Sequence, residues 1–306
     1  MKTAVTGATG TQGGAVVRAL LASGKAVRAI VRDRHSPASM ALKRIGAEIA
    51  EADLDDADSL HIALRGADAL FSVQLAPGVD PDIERRQARI LMDAARGAGI
   101  RHVVHSSVSN TGAFDNMAGW AEGRWERNYW ESKRDAEDHV RHADFPTYSI
   151  LRPAFMMDNF AIPKAQWMFP DLFEGKILTA IEPETPMVLI AAEDIGRVVA
   201  AAIVDPDRFG GRTIELAGDL LTLPRIASIL TELKGMMVRA RTLDPATLVE
   251  RGQHAGWVQS QQWMNVVNYP ARPADMEALG IAPTRFTDWV ARHADQIFPP
   301  SRNDIS

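Results

Sequence analysis

The first half of the sequence alternates short apolar runs with longer segments in which apolar residues recur at helical spacing. The runs predict strands at Thr3 to Thr6, Ala26 to Val31, Ala47 to Ala50, Ala69 to Val73, Val103 to Ser106 and Thr147 to Leu151. The intervening segments predict helices at Gly14 to Leu21, Ser39 to Ile45, Ser59 to Leu64, Asp82 to Ala98 and Trp130 to Arg141. This alternation predicts an α/β fold, a doubly wound parallel sheet with helices on both faces.

The alternation stops after Pro153. Residues 155–186 are rich in Met, Phe and Pro, which predicts a loop-rich cap. A helix from Asp194 to Ile203 and a strand from Thr213 to Leu216 are expected to return to the sheet. We therefore expect one domain over residues 1–154 and a smaller C-terminal α+β substrate lobe over residues 155–306, with residues 187–218 rejoining the first domain.

Composition narrows the classes of protein that are compatible with this pattern. The 306 residues are 46% hydrophobic and 24% charged, as in globular proteins. A net charge of −5 argues against general nucleic-acid binding, and the absence of cysteine excludes thiolate nucleophiles, disulfides and cysteine-bound zinc. The sequence has neither a signal-like N-terminus nor an apolar run long enough to cross a membrane, so we expect a cytoplasmic protein.

The first predicted strand runs into the first helix through glycines at positions 7, 10 and 13. Such glycines allow a tight turn, close approach of backbone to a pyrophosphate, and close packing of helix on sheet. The helix N-terminus then attracts the phosphates. The segment from Lys2 to about Leu21 therefore predicts a dinucleotide site, with contacts from Gly7, Thr9, Gly10, Thr11, Gln12 and Gly13.

The tip of the second strand distinguishes the two nicotinamide dinucleotides, because an acid binds a free ribose 2′-hydroxyl and an arginine accommodates a 2′-phosphate. Arg32 directly follows the apolar run, and Asp33 comes next. We expect NADP(H) as the preferred cofactor, with NAD(H) as the alternative if the strand ends one residue later. Asp53 either reaches the adenine or is one of several solvated carboxylates. Gln74 and Ser106, beyond the fourth strand and at the end of the fifth, are further expected cofactor contacts.

Tyr129 and Lys133 are four residues apart and share one face of a predicted helix. A nearby ammonium favours a phenolate, so Lys133 is expected to lower the pKa of Tyr129 and make it a usable general acid. Lys133 would also bind the nicotinamide ribose, and Ser107 would hold a substrate carbonyl. The alternative is a helix face with an ordinary lysine and a half-buried tyrosine.

Other features exclude chemistries or suggest a substrate. The histidine pairs His102 with His105 and His139 with His142 have no third ligand nearby, so we expect no metal site. A hydrolase nucleophile elbow, G-x-S-x-G, is absent. Aromatic and methionine residues suggest an apolar substrate, either as a flap over it or simply as core packing; they are Trp120, Trp125, Trp130 and the Met and Phe residues from Phe155 to Phe173.

Over nearly its whole length the chain resembles the NmrA-like family of atypical short-chain dehydrogenase/reductases. The resemblance rests on the Gly7-Gly10-Gly13 loop, Arg32, Ser106-Ser107, Lys133, the run from Thr147 to Phe160, Glu193-Asp194-Ile195-Gly196 and Trp289. It implies a Rossmann domain with a small C-terminal substrate lobe, NADP(H) preference through Arg32, and Lys133 at the nicotinamide. It also implies that Pro153 to Met156, including Phe155, line the nicotinamide pocket.

Two functions follow from this resemblance. The first is an NADPH-dependent oxidoreductase that reduces a small apolar carbonyl or quinone. Many family members lack the short-chain-dehydrogenase tyrosine, so its presence here as Tyr129 favours catalysis. The second is a non-catalytic NADP(H) sensor that regulates a protein partner. If Val108 rather than Ser107 aligns with the catalytic serine, the proton-donating set is incomplete. The helix from Asp82 to Ala98 could pair with a second copy of the chain.

Overall fold

A computed structural model describes residues 1–298 of the chain. The strands are β1 (Lys2–Val5), β2 (Ala26–Val31), β3 (Glu48–Glu51), β4 (Ala69–Ser72), β5 (His102–Ser106), β6 (Thr147–Pro153), β7 (Phe155–Met156), β8 (Lys176–Thr179), β9 (Pro186–Ile190), β10 (Arg212–Leu216), β11 (Asp219–Thr222) and β12 (Arg239–Thr242). The α-helices are α1 (Thr11–Ala22), α2 (Pro37–Arg44), α3 (Ala57–Leu64), α4 (Ile83–Gly97), α5 (Arg127–Arg141), α6 (Ala165–Met168), α7 (Ala192–Val204), α8 (Pro206–Phe209), α9 (Leu223–Lys234), α10 (Pro245–Glu250), α11 (Ala255–Val266), α12 (Pro273–Glu277), α13 (Phe286–Arg292) and α14 (Ala294–Ile297).

The first of two compact units comprises Met1–Phe114, Glu126–Pro153 and Ala192–Glu215. Its seven-stranded sheet has the order β10-β6-β5-β4-β1-β2-β3, and the six strands from β6 to β3 run parallel. Chain order reverses between β1 and β4, where such sheets open a crevice at the carboxyl ends of their strands. The predicted doubly wound α/β sheet is confirmed, and all six predicted strands form.

Helices cover both faces of this sheet because successive strand residues point to opposite sides. On one face, Leu70 and Val103 cluster with apolar residues of α3, α4 and α5. On the other face, to which Phe71 points, α1 and α7 pack against each other. A Cβ on Gly196 of α7 would lie 2.7 Å from the carbonyl oxygen of Ala15 in α1, so this helix contact is close enough to require glycine.

The second compact unit comprises Asp115–Trp125, Ala154–Ala191 and the described residues from Leu216 onward. It contains a three-stranded sheet in the order β11-β9-β7 and a parallel pair formed by β12 and β8. Helices α9 to α14 complete it. The α+β character expected of the C-terminal lobe is confirmed.

The structure differs from the sequence prediction in three segments. Residues 155–186, predicted as a loop-rich cap, contain β7, α6 and β8. Strand β9 belongs to the second unit rather than returning to the first, and so do residues 115–125. Strands β7, β8 and β9 are short and pair with strands that are distant in sequence, so local periodicity does not reveal them. Within residues 1–298, no helix has the length and apolar character needed to span a bilayer.

Candidate functional site

The glycine loop after β1 forms a tight turn into α1. Gly7 has a φ of +58°, in the left-handed region that glycine tolerates best, and its carbonyl oxygen accepts a hydrogen bond from the Gly10 amide over 2.9 Å. A Cβ on Gly13 would lie only 2.2 Å from that same oxygen. Position 13 therefore admits no side chain unless the loop moves, which is the close packing that the spacing predicts.

Helix α1 begins at the carboxyl edge of the sheet with an open N-terminus. Its N-cap is Gly10, and no side chain of the described residues caps the first turn. Thr9 is exposed, while Thr11 and Gln12 are half-buried. Free amides and the positive end of the helix dipole suit an anionic pyrophosphate. The loop therefore fits the diphosphate of a dinucleotide in shape and in charge.

Hydrogen bonds tie this loop to the neighbouring strand ends. The Ser106 hydroxyl, at the end of β5, donates to Oε1 of Gln12 over 2.6 Å. The Thr6 hydroxyl accepts from the Val73 amide over 2.9 Å, which joins the end of β1 to the end of β4. The structure thus brings together two predicted cofactor residues, Gln12 and Ser106, that are far apart in sequence.

Gln74 lies on the face of the sheet that α4 and α5 cover. Its Nε2 donates to the Ser72 hydroxyl over 2.9 Å, and Ser72 also bonds Nδ1 of His105 over 3.2 Å. Oε1 of Gln74 and Nε2 of His105 are buried and have no hydrogen-bond partner among the described residues. Burial lowers the pKa of His105 to about 4, so the imidazole is neutral at neutral pH. His105, which sequence reasoning considered only as a metal ligand, is part of this polar cluster.

The tip of β2 presents Arg32 to solvent. Arg32 is exposed, and its guanidinium has no hydrogen bond or ion pair to residues 1–298. The carboxylate of Asp33 instead accepts a hydrogen bond from the His35 amide over 2.8 Å. Asp53, also exposed, accepts from the Asp55 amide over 2.9 Å. Arg32 is therefore an available positive charge at this tip, as an arginine that binds a 2′-phosphate requires.

The Tyr129–Lys133 pair differs from the sequence prediction in its electrostatics. Both residues lie on α5, and the Lys133 ammonium is 5.7 Å from the centre of the Tyr129 ring. Lys133, however, donates a hydrogen bond to Oε1 of Glu84 over 2.6 Å, in a buried ion pair. Burial and then the charge of Glu84 raise the pKa of Tyr129 above its usual value. The expected lowering of this pKa by Lys133 is wrong, because burial raises it and the charge of Glu84, which pairs with the lysine, raises it further.

Glu84 is the partner of Lys133 that sequence reasoning missed. It lies in the first turn of α4, and its residue surface is 1% exposed. An acidic residue is common in the first turn of a helix, where the helix dipole stabilises it. The residue type and position therefore give no signal that distinguishes Glu84 from an ordinary helix-start carboxylate.

Ser107 is buried next to an ionic cluster that Glu137, Arg141 and Arg152 form. Its single hydroxyl proton lies within reach of two acceptors, Oγ1 of Thr111 over 3.2 Å and the Glu137 carboxylate. Arg152 binds both carboxylate oxygens of Glu137, over 2.8 and 2.7 Å, and Arg141 binds one over 2.6 Å. Burial raises the pKa of Glu137, but the Arg152 hydrogen bonds and charge outweigh it and hold that pKa below its usual value. The Ser107 hydroxyl is thus engaged within the fold.

The remaining predicted residues belong to different units. Pro153 ends β6, and its carbonyl oxygen accepts a hydrogen bond from the Ser109 amide over 2.9 Å. In the second unit, the Phe155 ring stacks on Trp257 with a centroid distance of 5.5 Å and is almost fully buried. Trp120, Trp125 and Trp130 are also buried, which favours packing over an exposed flap. Among the residues described, no group of three or more His, Asp or Glu side chains is arranged to hold a metal ion.

A doubly wound sheet with a glycine loop at its switch point defines a Rossmann-type α/β protein. Residues 1–283 match the NmrA-like family, so the chain belongs to that family, as its motifs indicate. An NmrA-like family domain-containing oxidoreductase of Aspergillus hancockii is 28% identical over 258 residues, which are 78% of this chain and 74% of that protein. The (4-alkanoyl-5-oxo-2,5-dihydrofuran-3-yl)methyl phosphate reductase of Streptomyces griseus is 27% identical over 304 residues, 96% of this chain and 99% of that protein.

Solved structures share the fold at low sequence identity. The triphenylmethane reductase of Citrobacter sp., complexed with NADP(H), has a TM-score of 0.78 and 20% identity, with 95% of this chain and 99% of that chain covered. The NADPH-dependent quinone oxidoreductase of Escherichia coli, complexed with NADPH, has a TM-score of 0.75 and 22% identity over the same shares.

Proposed function

We propose that this protein is an NADPH-dependent reductase of a small carbonyl or quinone compound. The observation that carries the proposal is the position of Tyr129 and Lys133. Helix α5 starts at the carboxyl edge of the sheet, and the ion pair with Glu84, in the first turn of α4, holds the Lys133 ammonium at that edge. In doubly wound sheets, dinucleotides bind along this edge.

The residues present fit NADP(H). The loop around Gly13 has room for backbone but not for a side chain, the first turn of α1 is uncapped, and the Arg32 guanidinium is exposed and unpaired among residues 1–298. The loop and the uncapped helix turn would hold the pyrophosphate. Arg32 would bind the 2′-phosphate. Lys133 would bind the nicotinamide ribose. NADPH, when bound, supplies the hydride.

The chain's own contribution to the reaction is a positioned proton. Tyr129 keeps its phenol proton across the neutral pH range, because burial and Glu84 raise its pKa. Hydride addition to a carbonyl carbon places negative charge on the oxygen, and the Tyr129 hydroxyl would donate its proton to that oxygen. For a quinone, the same two transfers give the hydroquinone.

The relatives support the reaction class, and the shared fold is consistent with the cofactor. One relative is named an oxidoreductase and another a reductase of an unsaturated oxo compound, while the two structural neighbours are reductases complexed with NADP(H) or NADPH. An apolar substrate is a prediction from the sequence alone. The Phe155 ring, which is predicted to line the nicotinamide pocket, is buried against another ring of its own unit and adds no support for it. Among residues 1–298, no structural observation favours the alternative function, a non-catalytic redox sensor.

NADPH oxidation across a panel of quinones and aldehydes tests the proposal, with NADH as the comparison cofactor. Arg32→Glu should raise the KM for NADPH about 10- to 100-fold and leave the KM for NADH nearly unchanged, because hydrogen bonds to charged groups contribute about 1.5–3 kcal/mol. Arg44→Glu, the same charge change at an exposed site on α2, is the matched control. Absence of NADPH oxidation with every acceptor would contradict the proposal.

A further inference from the structure

Glu84 and Lys133 form the buried ion pair of this site. Nζ of Lys133 lies 2.6 Å from Oε1 of Glu84, and the two side chains are 9% and 1% exposed. Charges buried this deeply are tolerated when they are paired, so neither residue would be expected at its position without the other. The negative end of the pair is additionally stabilised by the N-terminus of α4, in whose first turn Glu84 lies.

The other charged groups around the pair are already balanced. On β5, His105 is neutral at working pH and adds no charge. One turn beyond Lys133 on α5, the Glu137 carboxylate is bound by Arg152 and Arg141. On α4, the next residue, Arg85, is directed to Asp135 over 2.6 Å. Glu84 is therefore the group that balances the charge of Lys133.

The second oxygen of Glu84 strengthens this assignment. Oε2 is buried and has no hydrogen-bond partner among the described residues. A purely structural carboxylate would be expected to satisfy both oxygens, because each unpaired buried acceptor costs free energy. Glu84 instead pairs one oxygen with Lys133, and its negative charge still raises the pKa of the Tyr129 phenol.

From this geometry we infer that Glu84 is a positioning residue for the proposed reaction. It fixes the Lys133 ammonium at the carboxyl edge of the sheet and screens the Tyr129 hydroxyl from the positive charge of that ammonium. Tyr129 therefore works as a neutral phenol that donates its proton, rather than as a phenol held near ionisation by the lysine. The inference rests on the proposed function for its catalytic meaning, but its electrostatic content does not depend on turnover.

The experiment titrates Tyr129 by the ultraviolet absorbance of phenolate in cofactor-free protein. The Tyr129→Phe protein supplies the background from Tyr148 and Tyr269. In the wild type, Tyr129 should titrate above the usual value of about 10. Glu84→Gln keeps the shape and removes the charge, and it should lower the Tyr129 pKa by about 1 pH unit or more, since a nearby like charge shifts a pKa on that scale.

Two further variants separate this effect from general damage. Glu84→Asp retains the charge and should keep the Tyr129 pKa closer to the wild-type value than Glu84→Gln does. Asp135→Asn removes a partly exposed carboxylate from the same pair of helices and should leave the Tyr129 pKa unchanged. In kinetics with an active acceptor, kcat of Glu84→Gln should fall as pH rises through the lowered pKa, while wild-type kcat stays level over that interval.

An unchanged Tyr129 pKa in folded Glu84→Gln would overturn the inference. A wild-type value at or below about 10 would also overturn it, and this measurement decides the matter if Glu84→Gln does not fold. Failure of the proposed function has a different signature, since the wild type would then oxidise no NADPH with any acceptor while the titrations of Tyr129 still gave the expected shifts.

Discussion

The Ser106 hydroxyl donates a 2.6 Å hydrogen bond to Oε1 of Gln12, which joins the end of β5 to the first turn of α1. In the strand order, β5 and β2 lie on opposite sides of β1, so this bond holds the glycine loop from the β5 side. Ser106→Ala should destabilise the protein by about 0.5–1.5 kcal/mol, the usual worth of one hydrogen bond, and raise the KM for NADPH.

Urea denaturation and cofactor titration measure the two effects of Ser106→Ala. Ser260→Ala is the control, because among residues 1–298 the exposed Ser260 hydroxyl bonds only its own helix, at the Gly256 carbonyl over 2.9 Å. Equal cofactor affinity in the two variants would show that the Gln12 bond does not hold the loop.

Gly13→Ala should impair the loop more severely. The added Cβ would lie 2.2 Å from the Gly7 carbonyl oxygen and 2.7 Å from that of Thr6, so backbone must move. We expect a loss of about 1–3 kcal/mol in the free energy of unfolding, as in overpacked cores, together with loss of NADPH binding. In Gly78→Ala the new Cβ meets no atom of residues 1–298 within 4 Å, and stability should be unchanged. Thermal denaturation and NADPH fluorescence test both variants.

Tyr129→Phe removes the proposed proton donor and keeps the ring. Turnover should fall by about 10²- to 10⁴-fold, the usual contribution of general acid catalysis, and NADPH affinity should stay nearly constant. Tyr148→Phe removes a hydroxyl from a partly buried tyrosine on β6 and should retain turnover. Equal turnover in wild type and Tyr129→Phe would exclude the assigned role.

Acid should destabilise the protein through two buried histidines. Burial lowers the pKa of His102 and of His105 to about 4, whereas an unfolded histidine titrates near 6.5. Because the unfolded chain binds more protons between these values, the contribution of each neutral histidine is complete above about pH 6.5 and is lost as pH falls towards about 4. From about pH 7.5 to about pH 5, the loss is on the order of 2 kcal/mol for each histidine.

His102→Leu tests this pH dependence at one of the two sites. Neither ring nitrogen of His102 has a hydrogen-bond partner among residues 1–298, so leucine should be tolerated at neutral pH. The variant should lose less stability on acidification than the wild type does, as measured by urea denaturation at both pH values. His139→Leu replaces a partly exposed histidine on α5 and should retain the wild-type slope.

Local patterns in the sequence were sufficient for the first unit. The run from Thr3 to Val5 and the glycines at positions 7 and 13 identify a strand, a turn and a helix because each depends on residues within one short segment. The helical segments between the strands were recognised for the same reason. In the second unit, β9 pairs with β11 and β7, and this pairing across sequence-distant segments leaves no local period to detect.

The sequence by itself determined the doubly wound fold, the glycine loop, the charge at Arg32 and the presence of a tyrosine and a lysine on one helix. Each of these follows from residue type and short-range spacing. Only the tertiary structure decided the ionisation of Tyr129, because that depends on burial and on the distance to Glu84, which packs against α5 from a different helix. Electrostatic energies are set by distance and solvent access in the folded chain, and neither quantity is written in the spacing of residues along it.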